Sequence, residues 1–320
     1  MTRKKARRDL EPEQCWLYAI SSPADLAHRL STPRHKLKAS DLSPLARDTG
    51  NYRLFQIEDG NGKSRAIQWP KRRLQTLHAR VHTLLSRVAV PAYLYSAVRG
   101  KSYVDNASAH NPLVPTIKID VKKFFPSVSR AVIFDFFFQR MRCRRDVAGL
   151  LADILTFDAH LPTGGAASPI IAYYSFKPMF DEIHKFALSQ GLIMTCYVDD
   201  LTLSGVRASK NTLHEIGKII SRSGLKSHKA RAFAASQPKV ITGVCNTKSG
   251  RRVPNKLHLK IKKGFDDLTA AKTPLEINRI AQPLLGRLRA AGQIDPKFRA
   301  RADTVSANIA ASSVQTKTSP

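Results

Sequence analysis

Residues 195–205 read TCYVDDLTLSG, and two adjacent carboxylates, Asp199 and Asp200, stand in the middle of a segment otherwise patterned as a buried hairpin. Neighbouring side chains on a strand point to opposite faces, so one of the pair would enter the core. Either a tight turn exposes both, or a cation lies between them and a further acid. A third acid is at hand in TIKIDVKKFFPSV, where Ile117, Ile119 and Val121 alternate with Thr116, Lys118 and Asp120. Asp120 therefore ends a half-buried strand on the face away from the apolar one. If the two strands are neighbours, three carboxylates converge on one edge of a sheet. An all-oxygen ligand set of that kind suits Mg²⁺, and two such ions about 4 Å apart clamp the attacking and leaving oxygens of a phosphoryl transfer.

The charge balance names the class of partner. Lys and Arg number 53 against 24 Asp and Glu, a formal net charge of +29, which calls for a polyanion. No run of about 18 apolar residues and no lipidation signal favours a membrane surface, so nucleic acid is expected and no membrane. The start, MTRKKARRDLEPEQC, has a basic cluster but no apolar stretch or cleavage site, which predicts a cytoplasmic protein. Four isolated cysteines, Cys15, Cys143, Cys196 and Cys245, predict buried thiols and no structural zinc. His78 and His82 are four apart on a helix, but Ala79 stands where a zinc hydrolase needs an acid, so both read as surface histidines.

The elements that must position the acids follow from periodicity. Ser22 and Pro23 open a short helical N-terminal extension, residues 1–50. Alternation on both sides of Asp59-Gly60-Asn61-Gly62 predicts a hairpin, and Leu74, Leu77, Val81, Leu84, Leu85 and Val88 a helix whose other face is basic. RAVIFDFFFQRM reads as an apolar helix, LPTGGAASP as a loop opening a helix from Ile170 to about Ser189, residues 209–223 as a helix and KVITGV as a strand. The order predicts an α+β sheet domain. Beyond Asn255, Leu257, Ile261, Phe265 and Leu268 form one stripe, and Thr273 with Glu276 caps a helix carrying Ile277, Ile280, Leu284 and Leu288. Residues 311–320 are small and polar and predict a disordered tail.

In their order, KIDVKKFFPS, LPTGGAASP, YVDD and KVITG resemble the motifs of reverse transcriptases from about Arg65 to Val244, and the NAxxH of Asn106, Ala107 and His110 with the ITG of 241–243 resembles the bacterial retron branch. The resemblance implies an α+β right-hand polymerase: fingers at 51–115, a palm at 116–245 whose antiparallel sheet has helices packed on one face, fingers elements around 155–190, and a basic helical thumb at 246–310. It implies RNA-directed DNA polymerase activity, with Asp120, Asp199 and Asp200, helped by Val121, holding two Mg²⁺ ions. By the same likeness Phe125 is a steric gate against a 2′-OH. Arg65, Lys63 and Thr163 meet the deoxynucleoside triphosphate. Asn106, His110, Lys256, Lys260 and Lys263 meet RNA. The implied template is a structured noncoding RNA of the msr-msd type, the product branched msDNA primed from a 2′-OH, and the setting antiphage defence with an effector protein encoded nearby.

LPTGGAASP departs from the family's LPQGAPSSP: Thr163 replaces the Gln, and the Gly164-Gly165 step predicts a more flexible loop. Either Lys229 or Arg231 fits the later basic position. A slow RNA-binding scaffold for an effector and a group II intron-like enzyme are the rival readings.

Overall fold

A computed structural model describes residues 9–58 and 64–315 of the chain. Helices α1 (Pro23–Leu30) and α2 (Ala39–Arg47) form an N-terminal layer. α1 starts where its sequence predicts: Ser22 Oγ accepts from the Asp25 N–H, and Pro23 takes the first turn, where no N–H is needed. β1 (Tyr52–Glu58) and β2 (Ser64–Pro70) pair as an antiparallel ribbon. The expected turn at 59–62 and Lys63 lie outside the described residues, as do the basic start at 1–8 and residues 316–320. α3 (Arg72–Leu85) buries Leu74, Leu77, Val81, Leu84 and Leu85 and is followed by α4 (Tyr103–Ser108).

β3 (Thr116–Val121) is an inner strand of the largest sheet. α5 (Phe124–Ser127), α6 (Arg130–Asp135), α7 (Arg145–Leu155), α8 (Ser168–Ser175) and α9 (Lys177–Ser189) separate it from β4 (Ile193–Tyr197) and β5 (Asp200–Ser204). α10 (Lys210–Arg222) and β6 (Ser227–Phe233) complete an antiparallel sheet in the order β4-β5-β3-β6. Its register sorts side chains cleanly. Ile117, Ile119, Leu201, Leu203, Met194 and Cys196 share the face that joins the main core, while Lys118, Asp120, Asp200 and Thr202 share the other. This is the α+β arrangement expected, with α9 and α10 packed on the sheet.

Local differences have local causes. The apolar run after Arg130 ends in a π-helical turn, Phe136–Arg140. The helix expected to run unbroken from Ile170 to Ser189 is two, α8 and α9, broken where Pro178, with no N–H to donate, enters the first turn of α9. KVITGV is not one strand: β7 (Lys239–Ile241) and β8 (Val244–Thr247) are joined by Thr242 and Gly243, both at positive φ, and β8 pairs with β9 (Gly250–Arg252). The boundary expected between 245 and 246 thus falls inside β8. The C-terminal helices α11 (Asn255–Ala270), α12 (Pro274–Ala291) and α13 (Lys297–Gln315) enclose a core of their own around Ile261, Leu284, Leu288 and Phe298. α13 continues to Gln315, through residues expected to begin a disordered tail, since extending a helix already begun adds one bond per residue without the cost of a new nucleus. Among the described residues no helix is long and apolar enough to cross a membrane.

Candidate active site

β3 is flanked by β5 and β6, and this order brings the acids together. Asp120 stands directly opposite Asp200 in the β3–β5 pair, while Tyr197 faces Asp200 across the β4–β5 hairpin. Asp199 occupies the hairpin turn. Its carbonyl accepts from the Val121 N–H at 3.0 Å, carrying the ladder one step past the strands. Val198, just before it, is held at φ 61°, an uncommon conformation for a β-branched residue, and its N–H donates to the buried Ser96 Oγ at 2.9 Å.

Two lysines answer the clustered negative charge. Lys118 Nζ is 3.0 Å from Asp200 Oδ2, and Lys229 Nζ is 3.0 Å from Asp120 Oδ2. Lys229 reaches Asp120 through a bulge: Lys118 pairs with Arg231 but Asp120 with His228, so β6 carries one extra residue there, and Lys229 has φ 51°. That choice separates Lys229 from Arg231, which faces Lys118. His228 Nδ1 lies 3.4 Å from Asp120 Oδ1 without forming a hydrogen bond, and both atoms are buried without a partner. Burial, then the charge of Asp120, pushes Asp199 up to about 6. Burial also raises Asp200, against the pull of Lys118.

A buried carboxylate oxygen without a donor, beside carboxyls whose charged forms are disfavoured, fits a hard divalent cation, since such ions take oxygen ligands and supply the missing positive charge. The residues provide donors and not a finished cage. Among the described residues no group of three or more His, Cys, Asp or Glu stands in metal-holding geometry.

Phe125 is half-buried and stacks on the buried Phe124, with ring centroids 6.2 Å apart. Arg65 is exposed on β2, paired with Ile57, on the face opposite Gln68. Thr163 is tied to that strand: its N–H and Oγ1 donate to Gln68 Oε1 at 3.2 and 2.9 Å. Gln75 grips the same loop, donating to the Gly164 carbonyl at 3.1 Å and accepting from the Ala166 N–H at 3.1 Å. The Gly-Gly step is therefore a tight contact, contrary to the flexible loop expected. A Cβ on Gly164 would stand 2.7 Å from the Gln68 carbonyl oxygen, and one on Gly165 would stand 2.8 Å from His78 Nδ1. Gln68 and Gln75 were missed in the sequence, where an isolated Gln on a strand or helix carries no signal.

Burial corrects several assignments. Asn106 and His110, expected to meet RNA, are both buried. Asn106 Nδ2 donates to Thr242 Oγ1 at 3.2 Å, and His110 bridges Ser204 Oγ and Thr195 Oγ1 at 2.7 and 2.8 Å. These two motifs join α4, the β7–β8 turn and the sheet to one another; neither side chain reaches solvent. His110 is pushed down to about 4 by burial and by the charges of Lys239 and Lys118. Lys239 is itself fully buried, donating to the carbonyls of Pro112 and Val114 and to Thr116 Oγ1. His78, expected at the surface, is also buried, with Nε2 2.9 Å from the Ile154 carbonyl, because α3 packs against α7 and α8. Cys15, Cys143 and Cys196 are buried, free thiols as expected, and Cys245 is half-buried. Lys256, Lys260 and Lys263 are exposed on α11.

The sequence model described as "Reverse transcriptase (RNA-dependent DNA polymerase)" matches residues 57–245. Among curated proteins, the chain is 31% identical to the Retron Se72 reverse transcriptase of Salmonella heidelberg, over 48% of this chain and 41% of that one. It is 29% identical to the Retron Ec86 reverse transcriptase of Escherichia coli, over 50% of each chain. The matches thus span half or less of these two relatives' own lengths. Among solved structures, a foamy viral protease-reverse transcriptase in complex with double-stranded DNA aligns at a TM-score of 0.48 and 15% identity, over 97% of this chain and 46% of that one.

Proposed function

Because the chain belongs to the reverse transcriptase (RNA-dependent DNA polymerase) family, we propose that it is the RNA-directed DNA polymerase of a retron, copying part of a structured noncoding RNA into DNA. The observation that carries this reading is the pairing of Asp120 with Asp200 across β3 and β5, with Asp199 in the adjoining turn. Asp120, Asp199 and Asp200, with the Val121 main chain beside them, would hold two Mg²⁺ ions. Divalent ions held there would lower the pKa of the priming hydroxyl and stabilise charge on the triphosphate. The protein's own share is geometric. The β-ladder fixes the carboxylates before substrate arrives, so little reorganisation is left for the reaction itself.

Around that centre, Phe125 closes the space a ribose 2′-OH would need, Arg65 and Lys63 meet the triphosphate, and Thr163 anchors the loop beneath it. The β1–β2 ribbon with α3 and α4 makes the fingers, the four-stranded sheet the palm and α11–α13 a thumb whose Lys256, Lys260 and Lys263 follow the RNA backbone. The retron assignment is supported by the names of the curated relatives. In that setting the template is an msr-msd type RNA, synthesis starts from a 2′-OH, the product is branched msDNA and the role is antiphage defence with a neighbouring effector, in the cytoplasm.

Primer extension by wild type and Asp199→Asn tests the polymerase. Extension should fall by orders of magnitude in the variant while RNA is still bound; equal extension by both proteins defeats the assignment. Debranching of DNA made on the co-purifying RNA tests the retron. A product with no 2′,5′ linkage leaves only a general reverse transcriptase.

A further inference from the structure

A basic surface that shares none of these residues lies where the N-terminal layer meets the first turn of α3. Its backbone is fixed by local bonds. Thr32 and His35 exchange N–H to carbonyl hydrogen bonds at 2.9 and 3.1 Å, and the Leu37 N–H donates to Ser31 Oγ at 3.0 Å. Ser31 Oγ in turn donates to the Ala27 carbonyl at 2.8 Å, pinning the segment to the end of α1. The exposed Arg34, Lys36 and Lys38 therefore project from a held ridge, not a loose loop.

A cavity lies on each side of the ridge. One, about 520 Å³, is rimmed by Arg34, Lys36, Arg72 and Arg73. The other, about 480 Å³, runs from Lys36 and Lys38 to Arg80 and the exposed indole of Trp16. Lys36 belongs to both, and no acidic residue lines either cavity. The acids beside the ridge are already engaged: Asp41 has Oδ1 3.4 Å from Arg73 and Oδ2 accepting from the Lys38 N–H at 2.8 Å, and Asp25 accepts from Arg29 Nε at 2.7 Å.

We infer that this ridge is a docking surface for folded RNA, with phosphates along Arg34, Lys36 and Arg72 and an unpaired base stacked on Trp16. The inference rests on the polymerase reading only for the identity of its nucleic acid. Separate recesses for phosphate and base suit a strand whose bases are splayed out, as in a hairpin loop; a duplex keeps its bases inside the stack. Unopposed cations on a fixed backbone attract phosphate with little ordering left to do on binding.

The test uses the full chain and a short RNA hairpin with an unpaired loop, titrated at several salt concentrations. Each neutralised phosphate contributes roughly 0.7 to 0.9 to the salt slope, so Arg34→Ala, Lys36→Ala and Arg72→Ala combined should flatten it by about 2. Trp16→Ala should weaken binding by about tenfold and leave the slope unchanged. In a Trp69→Phe background Trp16 is the one tryptophan left of the chain's two, so hairpin binding should quench its fluorescence. An unaltered affinity and slope in the triple variant overturns the proposal, as does equal competition by a DNA duplex of the same length. Extension of a primer on a short annealed template should persist in the triple variant. Its absence in the wild type would count against the polymerase reading alone.

Discussion

Lys229 Nζ stands 3.0 Å from Asp120 Oδ2 because a bulge in the edge strand turns two consecutive residues, His228 and Lys229, toward one residue of the middle strand. The lysine side chain is two-thirds exposed, so the pair is worth little to stability. Its effect is on the carboxylate, which it occupies in competition with any other cation. Lys229→Met should therefore tighten divalent-ion binding to the otherwise unliganded protein by a few-fold, about 1 kcal/mol or less. Mn²⁺ titration followed by electron paramagnetic resonance reads this directly, and weaker binding in the variant would show that the lysine assists the site.

Phe125 is half-buried against Phe124, so its removal has two separable effects. Phe125→Ala should cost about 2 kcal/mol of stability, less than a fully buried aromatic. It should also admit ribonucleoside triphosphates while deoxynucleotide addition continues. Single-nucleotide incorporation of matched ribo- and deoxynucleotides checks the second effect. A variant that melts earlier yet discriminates as well as wild type would make Phe125 a packing residue only.

Gly164 presses on the ribbon backbone. Gly164→Ala brings Cβ to 2.7 Å from the Gln68 carbonyl oxygen, and the ribbon or the loop must shift, at about 1–3 kcal/mol. Gly149→Ala, where the added carbon meets only the end of the Arg130 side chain at 3.7 Å, is the control and should be neutral or stabilising by up to about 1 kcal/mol. Urea unfolding of both variants compares them. KM for the nucleotide should rise in the first and not in the second.

His78 and His110 are both pushed down from 6.5 to about 4, chiefly by burial. Below pH 6.5 the unfolded chain takes up protons that the folded chain refuses until about pH 4, so stability falls across that window and levels off beneath it. Between pH 7 and 5 the two together should remove about 4 kcal/mol, at about 1.4 kcal/mol per unit per group. Asp199, raised to about 6, and Asp200, also raised by burial, act in the opposite direction by gaining protons on folding, so the measurement belongs in an Asp199→Asn, Asp200→Asn background in metal-free buffer. Equal urea midpoints at pH 7 and 5 would contradict it.

The acids could be read directly because strand alternation and an adjacent Asp doublet are local signals. Lys118 was legible for the same reason, two residues before Asp120 on the same face. The choice between Lys229 and Arg231 was not, since it depends on a bulge that only pairing with β3 creates. The burial of Asn106, His110 and His78 was not legible for a related reason. Each is a polar residue buried by partners supplied from far along the chain, Thr242, Ser204 and Ile154 among them. The loop at 162–167 shows the same limit: two glycines read as freedom when seen alone and as close contact once β2 lies across them.

The position of β3 at the centre of its sheet has a consequence for synthesis on the ribosome. Asp120 and the lysine that neutralises it are 109 residues apart, and both strands that flank β3 are translated after it. Until β5 has left the exit tunnel, β3 has two unpaired edges and a lone carboxylate, and until β6 follows, the three acids meet without Lys229. Such long-range pairing slows folding. It also leaves a segment of alternating isoleucine and valine waiting with both edges open, which is where chaperone binding to the nascent chain should concentrate.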